Sequence, residues 1–116
     1  MGEPLVLAEV TSVRGHWIRL TLRQWLHISE NHDYMDGNRT LVLETIAAPD
    51  ELVAGEAGET LALRAYPQTN LTAKTAVVVY RDEPAGFIIT AWLTARADRV
   101  RAKGVQVWRQ SPSTSD

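Results

Sequence analysis

The sequence predicts a small α+β domain, an early helical stretch followed by strands that pair antiparallel. Three observations carry this. Trp25, Leu26 and Ile28, with Leu22, recur at helical spacing directly after Thr21. Val77-Val-Val-Tyr80 is apolar on both faces, as a strand central to a sheet must be. Asp82-Glu-Pro-Ala-Gly86 then supplies turn chemistry before a second apolar run over residues 87–94, so the two runs read as an antiparallel hairpin.

Taken in order, residues 5–10 and 16–20 alternate weakly and carry β-branched side chains, with the turn residues Ser12-Val-Arg-Gly15 between them, which predicts a first hairpin. Thr21 is a suitable N-cap and Gln24 stands three residues on, a capping-box spacing that predicts a helix over residues 22–31. Asn38 or Thr40 caps a second short helix whose apolar face includes Leu41, Val42 and Ile46, and Pro49 ends it. Residues 55–59 form a turn between two strands. Over residues 60–66, Leu61, Leu63 and Ala65 point one way while Ala62, Arg64 and Tyr66 point the other. Along residues 87–94, strict alternation puts Ile88, Thr90, Trp92 and Thr94 on one face, and the apolar Phe87, Ile89, Ala91 and Leu93 toward the helices. Residues 95–104 form a short helix or loop, residues 105–108 an edge strand, and residues 111–116 a polar tail expected to be disordered behind a single domain of residues 1–110.

Composition narrows the function. A chain of 116 residues with 45% hydrophobic and 22% charged side chains has the balance of one globular domain. The absence of cysteine excludes disulfides, zinc–thiolate sites and thiol catalysis. No apolar run approaches membrane-spanning length, and the first residues lack a secretory pattern, so the expectation is a cytoplasmic protein away from membranes. The net charge of −2 conceals an asymmetry. Residues 1–59 carry four arginines against ten carboxylates, whereas residues 60–110 carry six arginines and two lysines against three. A basic half can attract phosphates on a mildly acidic chain.

His27 and His32 are five apart, poorly spaced to share a metal on one helix, and no metal or other cofactor is expected. His32 falls at the predicted helix end, where positive charge is stabilised and a histidine can exchange protons near neutral pH. The same position suits a histidine that caps the terminal carbonyls. Thr90, Trp92 and Thr94 on one strand face can hydrogen-bond a phosphate and stack a base. Arg64, beside Tyr66, can grip a phosphate and stabilise developing charge, with Lys74 and Arg81 at opposite ends of the central strand.

Several segments occur in a suggestive order: residues 20–28, His32, residues 43–50, residues 58–64, Val77-Val-Val-Tyr-Arg81 and Gly86-Phe-Ile-Ile-Thr90-Ala-Trp-Leu-Thr94. Together they resemble the barnase–EndoU–colicin–RelE group of small metal-independent ribonucleases, in its RelE-like, phage-associated branch. The resemblance spans residues 18–108. It implies one or two N-terminal helices on a curved antiparallel sheet of about four strands, and a toxin-type endoribonuclease or RNA-binding domain with RNA and an antitoxin or other protein as partners. It also implies a site of His27 or His32, Arg64 and Thr90, in which a histidine deprotonates a ribose 2′-hydroxyl. The chain has His32-Asp33-Tyr34 where that group has His-Pro-Glu, so an inactive interaction module of the same fold is the alternative.

Overall fold

The computed structural model describes residues 5–111, so most of the predicted tail lies outside the described residues. Seven strands form one mixed sheet: β1 (Val6–Thr11), β2 (Trp17–Thr21), β3 (Glu51–Ala54), β4 (Thr60–Tyr66), β5 (Lys74–Tyr80), β6 (Gly86–Thr94) and β7 (Val105–Arg109), in the order β1-β2-β6-β5-β4-β3-β7. Three α-helices accompany them: α1 (Leu22–Asn31), α2 (Arg39–Ala47) and α3 (Ala97–Ala102). A 3₁₀ turn, Asp33–Met35, lies between α1 and α2. The four-stranded antiparallel sheet with N-terminal helices that the resemblance implied is therefore not the fold of this chain. The first hairpin precedes the helices and joins the sheet by a parallel pairing of β2 with β6, at Ile18–Gly86 and Arg19–Phe87. At the other end, β3 pairs with both β4 and β7. Among the described residues no helix is long and apolar enough to cross a membrane.

Local chemistry explains the elements that periodicity located. The Thr21 hydroxyl accepts from the Gln24 N–H at 3.2 Å and so caps α1, whose Trp25 and Ile28 are buried. The His32 N–H closes the other end on the Ile28 carbonyl. Gly15, at φ 88°, takes the left-handed corner of the β1–β2 turn that a side chain would strain. β5 occupies the middle of the sheet, and Ala76 to Tyr80 are all buried.

α1 and α2 cover one face. Ile18, Leu20, Ile28, Met35, Val42, Ile46, Val78 and Tyr80 meet there with no exposed surface, and burying each such side chain is worth roughly 1.5–3 kcal/mol. The opposite face is only partly covered: Ala97 and Val100 of α3 pack on Val53, Leu63 and Val77, with Leu61 and Trp92 at the margin.

β6 departs from the predicted alternation. Val79 lies opposite Thr90 but Tyr80 lies opposite Ile88, so Ile89 is an extra, bulged residue. Ile88 joins Ala91 and Leu93 on the helix-covered face, and Phe87 turns outward, 43% exposed, onto the face of Thr90, Trp92 and Thr94. The expectation that Phe87 packs toward the helices and Ile88 away is thus reversed by one inserted residue.

Candidate functional site

Arg64 and Thr90 do not share a groove. Arg64 lies opposite Ala76 on the helix-covered face, and Thr90 lies opposite Val79 on the other. Arg64 is also engaged. It donates to the Ala48 carbonyl, its Nε stands 3.6 Å from Glu44, and its guanidinium lies 5.4 Å over the Tyr66 ring. Tyr66 in turn donates to Glu44 at 2.7 Å. Burial pushes the Tyr66 phenol up to about 12, with the Thr45 hydroxyl acting against the shift and Glu44 adding to it. The cluster braces α2 on β4.

The histidines also separate. His27 is exposed on α1, where the Asn31 amide reaches its ring at 3.2 Å and its carbonyl at 2.9 Å. His32 is half-buried, its ring 5.6 Å from Tyr34 and 6.4 Å from Trp92. It stands at the margin of β6, where pairing with β2 has ceased and helix-borne side chains satisfy the strand edge. Gln24 donates to the Ile89 carbonyl, and the Tyr34 hydroxyl bonds both polar groups of the Leu93 backbone. Of the four residues expected to catalyse, His32 and Thr90 flank Trp92, while His27 and Arg64 lie elsewhere.

The residues expected to bind RNA divide in the same way. Trp92 and Thr94 line a groove of about 370 Å³ beside α3, together with Leu61, Arg96, Arg99 and Lys103. Tyr66 and Lys74 line a separate, shallow depression that Thr94 joins to the first. Arg81 is engaged, donating to the Ala57 carbonyl at 2.7 Å and so holding the β3–β4 turn. In the groove, Arg96 pairs with Asp98 at 3.5 Å on the surface and, chiefly through that hydrogen bond, holds its carboxyl below the usual range. Arg99 and Lys103 have no ion-pair partner among the described residues. α3 is fixed by Arg101, whose Nε–H bonds both oxygens of the buried Glu51 at 2.8 Å. Beyond Lys103 the groove turns acidic, at Glu56 and Glu59.

No carboxylate stands within six residues of His16 in the chain, so the sequence offers no signal for it. Its partner is 66 residues away. Asp82, with a side chain only 2% exposed, accepts from the Ser12 hydroxyl at 2.7 Å and pairs with His16 Nδ1 at 2.9 Å, while Arg14 Nε lies 3.8 Å from its second oxygen. Burial first, and Asp82 second, push the neighbouring Tyr80 phenol well above its ordinary range. The Ser12 hydroxyl hydrogen-bonds the carboxylate rather than the imidazole, so no serine–histidine nucleophile is assembled. The cluster instead ties the β1–β2 turn to the β5–β6 turn, across a β2–β6 pairing only two residue pairs long. No three His, Asp or Glu side chains converge as a metal-ligand set among the described residues.

No family model, no curated protein and no solved structure matches the chain.

Proposed function

We propose that this protein is a non-catalytic RNA-binding domain that takes a single strand on the open face of its sheet. The observation that carries this reading is the groove in which Trp92 and Thr94 stand beside Arg96, Arg99 and Lys103. An aromatic ring offers a base a stacking surface, and Arg99 and Lys103, which make no ion pair among the described residues, answer its phosphates. Binding without cleavage follows from the division of the catalytic set: a phosphorane forming at Thr90 would lie across the sheet from Arg64.

The test is fluorescence anisotropy with a labelled single-stranded RNA over a range of salt, alongside prolonged incubation of total RNA in EDTA. The expected result is salt-sensitive binding with the RNA left intact. Cleavage leaving a 2′,3′-cyclic phosphate would restore the endoribonuclease reading. Folded protein that binds no RNA would favour a module that recognises another protein.

A further inference from the structure

The groove beside α3 accounts for only part of the open face. On β2, Ile18 and Leu20 are fully buried toward the helices, so Trp17 and Arg19 project the other way, and Trp17 is 64% exposed. Arg19 lies beside Phe87 in the parallel pairing. Phe87 is outward only because of the bulge at Ile89, which also aligns it with Thr90, Trp92 and Thr94. One continuous row therefore runs along β6 from Thr94 to Phe87 and steps onto β2 at Arg19 and Trp17. From Trp92 to Phe87 it covers roughly 13–16 Å at about 3.3 Å per strand residue. A tryptophan and a phenylalanine this exposed, flanking an arginine, form a second stacking position with its own cation. Charge gives the row a direction. The groove's far end is acidic at Glu56 and Glu59, so a polyanion entering at Arg99 and Lys103 is steered toward β6 and β2. Glu9, opposite Arg19 on β1, bounds the path on that side.

We infer that Trp17, Arg19 and Phe87 form a second base-stacking subsite, so that the ligand is a single RNA strand several nucleotides long rather than a mononucleotide or a duplex. This rests on the RNA-binding reading of the α3 groove and extends it across the sheet. Thr90, between the two aromatic positions, is placed to hydrogen-bond the backbone that links the two stacked bases.

The experiment measures anisotropy of labelled oligouridines of about three, six and nine nucleotides, lengths chosen to fall short of and then span the two positions, on the full chain and on Trp17→Ala, Phe87→Ala and Trp17→Phe. For the wild-type protein, affinity should rise roughly 5- to 150-fold from the shortest to the longest strand, the worth of one added stack. Trp17→Ala and Phe87→Ala should flatten that rise, Trp17→Phe should keep most of it, and circular dichroism should remain unchanged in all three. A length dependence equal to wild type in folded Trp17→Ala would overturn the second subsite while leaving the groove reading intact, and duplex RNA competing as well as a single strand would overturn both. A wild-type protein that binds none of the oligonucleotides would overturn both.

Discussion

The two faces of the sheet treat their polar side chains differently. On the helix-covered face Arg64 is held by the Ala48 carbonyl, by Glu44 and by the Tyr66 ring, and Tyr66 by Glu44 and Thr45. On the open face Arg99 and Lys103 stand beside Trp92 and make no ion pair among the described residues, and Trp17 and Phe87 have no helix over them. A residue type suited to phosphate chemistry says little until its partners are known. Arg64 is held in place by a carbonyl, a carboxylate and a ring of its own protein, whereas Arg99 and Lys103 stand without an ion-pair partner beside the half-buried Trp92.

Substitutions at the most engaged groups should act on stability, and those on the open face on binding. The largest effect is expected at Asp82, the most buried of the engaged carboxylates. Asp82→Ala strands the Ser12 hydroxyl and the His16 ring and loosens the β1–β2 hairpin, and should lower unfolding free energy by about 2–3 kcal/mol. A shift of the urea midpoint, with early loss of amide protection in β1 and β2, measures it. Protection there equal to wild type would show that the two-pair junction of β2 with β6 holds without the cluster.

Trp92→Ala should weaken single-stranded RNA binding by about 1–3 kcal/mol, the usual cost of losing one stacked ring. It should also lower stability somewhat, because Trp92 packs at the margin of the α3 cluster. The double substitution Arg99→Ala and Lys103→Ala should leave stability nearly unchanged and reduce the slope of log affinity against log salt by about 1.4, from two phosphate contacts on a single strand. An unaltered slope would place the phosphates elsewhere.

Arg64→Ala supplies the contrast. It should cost about 1 kcal/mol of stability through lost hydrogen bonding and packing, with RNA affinity as in the wild type. A large loss of RNA binding in this variant would break the distinction between the two faces. The smallest effect concerns alkaline pH. Because the folded protein raises the Tyr66 phenol from 10.0 to about 12, and raises Tyr80 as well, it holds these protons more tightly than the unfolded chain does. Their contribution to stability is complete below pH 10.0 and is lost as pH climbs through the raised values. Tyrosinate absorbance during alkaline titration follows it, and Tyr66→Phe should remove the earlier-titrating part.

What the sequence determined by itself is what neighbours along the chain decide. Thr21 caps the helix that ends at Asn31, Arg64 and Tyr66 share a side of β4 opposite Leu63, and the two-sided apolar run of β5 lies at the middle of the sheet, because capping and alternation act within a few residues. Trp92 and Thr94 were legible as a pair on one face for the same reason. Tertiary structure decided the rest. The resemblance implied about four strands where seven are present, and the parallel pairing of β2 with β6 that joins the first hairpin to the rest carries no local signature. One bulged residue shifted the period of β6, exchanging Phe87 for Ile88 on the open face. Whether Thr90 meets Arg64 depends on which side of the sheet each strand presents to the helices, and the partner of His16 depends on strand order bringing residue 82 to residue 16. Side-chain periodicity reports only relative direction along one strand; the packing of distant strands and helices decides what lies in that direction.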